Sequence, residues 1–186
     1  MNIVPTRFPQ VLLLEPKVFK DHRGFFMELY SQARYREAGM RENFVQDNLS
    51  VSIKNVVRGL HYQLNNPQGK LVSVLSGKAL DVVVDIRQGS PHFGQWLSFE
   101  LSEENCRQVY VPPGFAHGYC ALSEKVIFHY QCTDYYRPED EFSLLWSDAD
   151  LGISWQQQGE ALVSPKDGAA PLLKDIPTKN LPVYSA

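Results

Sequence analysis

Three side chains near the middle of the sequence could together move a proton: His61, Lys70 and Tyr130. A histidine takes up a proton near neutral pH. A fixed ammonium such as Lys70 steadies an oxyanion, and one such donor is typically worth about 3–4 kcal/mol. A tyrosine hydroxyl returns a proton from another side. The set suits abstraction of a proton next to a carbonyl, through an enolate. Each residue also has a plainer reading. A lone histidine in a strand is often a satisfied core or surface residue. Lys70 follows Gly69 as a solvated turn residue would, and Tyr130 fits a packing aromatic. Residue types alone leave both readings open.

The elements that must position these groups are mostly strands. Apolar and β-branched runs at Val11–Leu14, Phe25–Tyr30, Phe44–Ser52, Val56–Gln63, Lys70–Leu75 and Ala79–Ile86 read as strands. So do Trp96–Leu101, Gln108–Val111, Ala116–Leu122, Val126–Thr133 and Phe142–Trp146. Turn signals such as Asn65-Asn66-Pro67, Ser76-Gly77, Gly89-Ser90-Pro91 and Pro112-Pro113-Gly114 separate them. Helical periodicity is scarce; Ser31 to Ala38, with Ser31 as cap and Gly39 as stop, predicts one short helix. Evenly spaced strands without intervening helices argue for an all-β sandwich, barrel or jelly roll. In Phe44–Ser52, one face carries Gln46, Asn48, Ser50 and Ser52, and the other Val45, Asp47, Leu49 and Val51. Either the polar face meets water, or it lines a barrel that holds a polar ligand.

The 186 residues suit one domain, 1–186, whose residues from about 156 onward form an irregular, proline-marked C-terminal segment lying along the barrel. A net charge of −3 without a strong basic cluster argues against nucleic acid as a partner. Three cysteines, Cys106, Cys120 and Cys132, with no CxxC, indicate neither a disulfide framework nor a zinc knuckle. Reduced thiols, with no signal-peptide pattern in Met1 to Pro9, point to the cytoplasm. The longest aliphatic run, Val11 to Leu14, is too short to span a bilayer, so no membrane partner is expected.

His61 and Gln63 share one strand face, followed by Lys70 and Gly77, and later Pro112, Gly114 and His117. This layout resembles the cupin superfamily of small β-barrels, which places two His, then a Glu, in the first motif. Here Gln63 stands for the second His and Lys70 for the Glu. A divalent cation wants imidazole nitrogen or carboxylate oxygen, and a lysine would repel it. The expectation is a cupin-like jelly-roll barrel with no metal site.

Longer motifs narrow the resemblance. They are Asp21-His22-Arg23-Gly24-Phe25-Phe26-Met27-Glu28, Phe44-Val45-Gln46-Asp47-Asn48, Arg58-Gly59-Leu60-His61-Tyr62-Gln63, Gln68-Gly69-Lys70-Leu71-Val72, Asp81 to Arg87, Pro112 to Gly118, and Ser164-Pro165-Lys166-Asp167. In this order they closely resemble the dTDP-4-dehydrorhamnose 3,5-epimerase family, from about Pro9 to Asp167. The resemblance implies a dTDP-sugar substrate, dTDP-4-dehydro-6-deoxy-D-glucose, inverted at C3 and C5 on the route to dTDP-L-rhamnose, without cofactor. By the family pattern His61 is the general base, Asp167 the carboxylate that orients it, Lys70 the group at the enolate oxygen, and Tyr130 the proton donor on the opposite face. Arg23, Glu28, Gln46, Asp47, Asn48, Arg58, His117, Glu141 and Lys166 match substrate-contacting positions. The family also implies a homodimer, with N-terminal strands joining the partner's sheet and Arg23 reaching across. Asn55, Leu49 and Gln156 depart from the commonest family wording; they leave open a relative that inverts one centre only, or a 3,4-ketoisomerase. A metal-dependent cupin oxygenase and a non-catalytic carbohydrate-binding barrel are the rivals from other classes.

Overall fold

The computed structural model describes residues 1–185. Thirteen strands carry the architecture: β1 (Asn2–Val4), β2 (Leu12–Glu15), β3 (Val18–Asp21), β4 (Gly24–Met27), β5 (Gln46–Ile53), β6 (Val57–Gln63) and β7 (Lys70–Ser76) come first. They are followed by β8 (Lys78–Asp85), β9 (Trp96–Ser102), β10 (Gln108–Val111), β11 (Phe115–Ala121), β12 (Lys125–Cys132) and β13 (Glu141–Ser143). Helix α1 (Gln32–Glu37) follows β4, and the one-turn α2 (Pro165–Gly168) lies in the C-terminal segment. Ser31 occupies the N-cap of α1, but its side chain makes no capping bond; its carbonyl accepts the Tyr35 amide at 2.9 Å. β1 and β3 were not among the expected strands. Each is a three- or four-residue run with little apolar patterning, held by its partner rather than by its own sequence.

The strands form a six-stranded sheet in the order β1-β2-β10-β7-β12-β5, a five-stranded sheet β13-β6-β11-β8-β9, and the separate hairpin β3-β4. The two larger sheets face each other as a cupin-like jelly roll. At one end their inner faces interdigitate: Val72, Val74, Val83, Phe115, Tyr119 and Phe128 belong to one buried cluster. A second cluster forms on the outside of the five-stranded sheet. Leu80, Val82 and Val84, the alternate residues of β8, pack there with Trp155, Leu173, Ile176 and Leu181 of the C-terminal segment. That second covering explains the nearly unbroken apolar run of β8, which a sheet wetted on one side would not need. The segment thus packs along the outer face of the five-stranded sheet; Ala186 is outside the described residues.

The polar face of β5 points inward. Gln46, Asn48 and Ser50 line a cavity, while Leu49, Val51 and Ile53 stand exposed outside. This is the reverse of an ordinary half-solvated strand, and it leaves the other end of the sandwich hollow. Among the described residues no helix is long and apolar enough to cross a membrane, and Cys106, Cys120 and Cys132 are buried free thiols.

Candidate active site

The hollow end is a cavity of about 610 Å³ between β5, β7 and β12 on one wall and β6 and β11 on the other, closed by β13 and α2. Register places its polar groups in rows. Tyr130 of β12 pairs with Asn48 of β5 and Val72 of β7, and Cys132 pairs with Gln46 and Lys70. On the opposite wall His117 of β11 is the direct cross-strand partner of His61 of β6. Two glycines permit that close pairing. A Cβ on Gly59 would lie 2.6 Å from Gly118 Cα, and one on Gly118 would lie 2.6 Å from the Arg58 carbonyl oxygen. The β11–β6 register also shifts between His117 and Tyr119, a local irregularity beside the paired histidines.

His61 and Asp167 form a dyad, with Nε2 to Oδ1 at 2.7 Å. Asp167 arrives on α2, where the Ser164 hydroxyl accepts the Asp167 amide at 3.1 Å and Pro165 occupies the first turn. Burial works to raise the Asp167 pKa. The hydrogen bond and charge of His61, with the Gly59 amide at 3.4 Å, outweigh it and hold the carboxyl below its usual range. An ionised carboxylate only accepts, so in the neutral imidazole Nε2 carries the ring proton and Nδ1 the lone pair. A second dyad joins His117 Nε2 to Asp81 Oδ2 at 2.7 Å.

Lys70 sits on the wall facing these histidines and makes no ion pair among the described residues. Burial pushes its pKa down, while the nearby charges of Cys132, Glu141 and Asp81 act to raise it. Tyr130 lines the same wall, its phenol pushed up to about 12, chiefly by burial. Base and phenol therefore project from opposite sheets into one space. Glu141 on β13 accepts the Tyr136 hydroxyl at 2.8 Å and pairs with Lys166. Arg58 donates to Ser52 Oγ at 3.1 Å, and Gln46 donates to Asn48 at 3.0 Å. Gln63 is consumed by the loops, donating to the Asn66 carbonyl at 2.7 Å and accepting the Arg137 amide at 2.8 Å.

The cavity thus gathers His61, Asp167, Lys70, Tyr130, Gln46, Asn48, Arg58, His117, Glu141 and Lys166. Three expected site residues do not join them. Asp47 alternates to the outer face of β5, where His129 Nε2 meets it at 2.7 Å. Arg23, on the turn of the β3–β4 hairpin, is bound to Asp21 at 2.6 Å, and Glu28 pairs with Arg34 at 2.8 Å. Asp81 and Tyr136 were given no role from sequence. The signal for Asp81 was a charge inside the run Leu80 to Val84, on the same strand face as Val83, the partner of His117.

The family model described as dTDP-4-dehydrorhamnose 3,5-epimerase matches residues 5–175. A protein of that name from Salmonella typhimurium is 53% identical over 175 residues, covering 93% of this chain and 96% of that one. Among solved structures, a dTDP-6-deoxy-D-glucose-3,5-epimerase from Legionella pneumophila in complex with dTDP-4-keto-L-rhamnose superposes with a TM-score of 0.97. It is 52% identical over 100% of this chain and 99% of that one. A 3'-monoepimerase from Streptomyces bikiniensis in complex with dTDP-quinovose is 34% identical, with a TM-score of 0.86, over 91% of this chain and 87% of that one.

Proposed function

Because the chain belongs to the dTDP-4-dehydrorhamnose 3,5-epimerase family, we propose that the cavity between the two sheets is its active site and that His61 and Tyr130 exchange protons with opposite faces of a bound sugar. The activity is that of the family: an isomerase acting on dTDP-4-dehydro-6-deoxy-D-glucose to give dTDP-4-dehydro-L-rhamnose. The observation that carries the site assignment is the placement of base and phenol on facing sheets, with Lys70 beside the phenol.

The chemistry follows from the substrate. C3 and C5 both flank the C4 carbonyl, so one ketone acidifies both C–H bonds. His61 Nδ1 takes the proton, and Asp167 on the far nitrogen orients the ring and stabilises the imidazolium. Lys70 meets the charge that develops on the C4 oxygen. The Tyr130 hydroxyl delivers a proton to the other face, and the centre is inverted. No electrons are transferred to or from the substrate, so the reaction as written is redox-neutral.

A homodimer completes this reading. Leu49, Val51 and Ile53 form an exposed apolar row on β5, an edge strand, and Phe19, Phe25 and Phe26 are exposed on the β3–β4 hairpin. Burying those surfaces against a second copy would carry Arg23 and Glu28 to the partner's cavity, where a guanidinium suits a diphosphate. Asp47 on the outer face of β5 would then act at the interface.

The deciding experiment is incubation with dTDP-4-dehydro-6-deoxy-D-glucose in D2O, reading deuterium at C3 and C5 by NMR. Deuterium is expected at both carbons with wild type and at neither with His61→Ala. Undiminished exchange in that variant would require another base.

A further inference from the structure

His61 has a carboxylate on each ring nitrogen, and the two differ in what lies behind them. Nε2 meets Asp167, whose side chain is 5% exposed and whose carboxylate is bonded by the Gly59 amide and the Ser164 side chain. Asp167 bonds the ring nitrogen that does not receive the substrate's proton, so this side holds the ring rather than emptying it. Nδ1 faces Glu141 Oε1 at 3.7 Å. The other oxygen of Glu141 contacts the Tyr136 hydroxyl and the Lys166 ammonium, and both of those side chains are about half exposed. This side opens to water.

Two inversions need that asymmetry. After the first, a proton sits on His61 Nδ1 and Tyr130 is a phenolate. The second, at the other carbon, needs a free Nδ1 lone pair and a protonated phenol. Between them one proton must leave His61 and one must reach Tyr130. We propose that Glu141 is the proton outlet of His61, taking the Nδ1 proton between the two inversions and releasing it to water at the Tyr136–Lys166 mouth. The Nδ1–H bond breaks as a Glu141 O–H bond forms; that O–H bond then breaks as water accepts the proton. Water protonates the Tyr130 phenolate, so protons balance and no electrons move.

Glu141 suits the task because it does not keep the proton. Burial acts to raise its pKa, but the hydrogen bonds from Lys166 and Tyr136 and the charge of His61 outweigh it, so the carboxylate is ionised when the imidazolium forms. In this role Glu141 acts through His61 and touches no reacting carbon. It is a positioning residue for the proton, and the inference rests on the reading of the cavity as a two-centre epimerase site.

The test uses the full chain with dTDP-4-dehydro-6-deoxy-D-glucose in weakly buffered D2O, quenched at short times, with singly and doubly inverted sugars counted by NMR. Glu141→Gln keeps the shape and loses the basicity. Whatever its effect on the overall rate, it should raise the ratio of singly to doubly inverted sugar about tenfold or more, the lower range for a lost proton-transfer group. Added formate, a diffusible base, should bring the ratio back toward that of wild type. Tyr136→Phe removes one exit partner and should move the ratio the same way, less far, which keeps the test available if Glu141→Gln does not fold. An unchanged ratio, or two inversions slowed equally with no response to formate, would overturn the outlet. A wild type that exchanges at neither carbon would instead overturn the reading of the site.

Discussion

At the scale of single residues, the cavity divides labour by environment. Tyr130 is partly buried and its phenol is raised to about 12, so in the proposed mechanism it holds its proton until an enolate is there to receive it. Tyr130→Phe leaves His61 and Lys70 in place. Solvent deuterium should still enter the sugar, returned by His61 to the face it left, while inversion falls by about 10²–10⁴. Exchange and inversion measured on one sample decide it; a parallel fall would mean the phenol is needed for enolate formation or for folding. Asp167 makes a different prediction. Its carboxyl is held below the usual range, so its contribution to stability is complete above the unfolded value, about pH 4. That contribution is lost as pH falls through the depressed folded value. Asp167→Asn should therefore be less stable than wild type at neutral pH, and the gap should close in urea titrations taken progressively below pH 4. A gap independent of pH would mean that packing, not charge, sets the effect.

At the scale of elements, the site depends on two strands approaching more closely than side chains allow. Gly59, with φ of +115°, and Gly118 touch backbone to backbone where β6 crosses β11, one residue from His117 and two from His61. Gly118→Ala puts a methyl 2.6 Å from the Arg58 carbonyl oxygen, which only a backbone shift relieves. The expected cost is about 1–3 kcal/mol of stability, the range for overpacking a tight site. Activity should fall by more than the unfolded fraction explains, because both histidines move. Denaturant midpoints beside kcat/KM give both readings; a variant of normal stability and rate would show that the strands have room. Asn55 illustrates a gentler backbone demand. Its φ is +65°, a conformation Asn tolerates better than most residues, and its side chain also bonds both the amide and the carbonyl of Gln158.

At the scale of the whole molecule, the exposed row on β5 predicts an interface. In the proposed homodimer, Ile53→Lys should shift the protein toward monomer in sedimentation and raise KM, as Arg23 would then fail to reach the second copy's cavity. Arg23→Ala should raise KM with little change in kcat and leave the dimer intact. A dimer that survives Ile53→Lys would place the contact elsewhere. By itself the sequence determined the all-β class, most of the strands and the short helix, because these are set by local periodicity; its resemblance to the family singled out His61, Asp167, Lys70 and Tyr130 as candidates. It left open which way the polar face of β5 points. The family resemblance grouped Asp47 with Gln46 and Asn48, although strand alternation already sets it on the other face, where it meets His129. The tertiary structure decided which way the polar face of β5 points, it brings His61 to Asp167 across 106 positions, and it alone joined His117 to Asp81 across 36. The physical reason is that a strand's own pattern says only that its two faces differ. Which face becomes a cavity depends on what the second sheet places opposite, and that is fixed by packing between residues far apart in the chain.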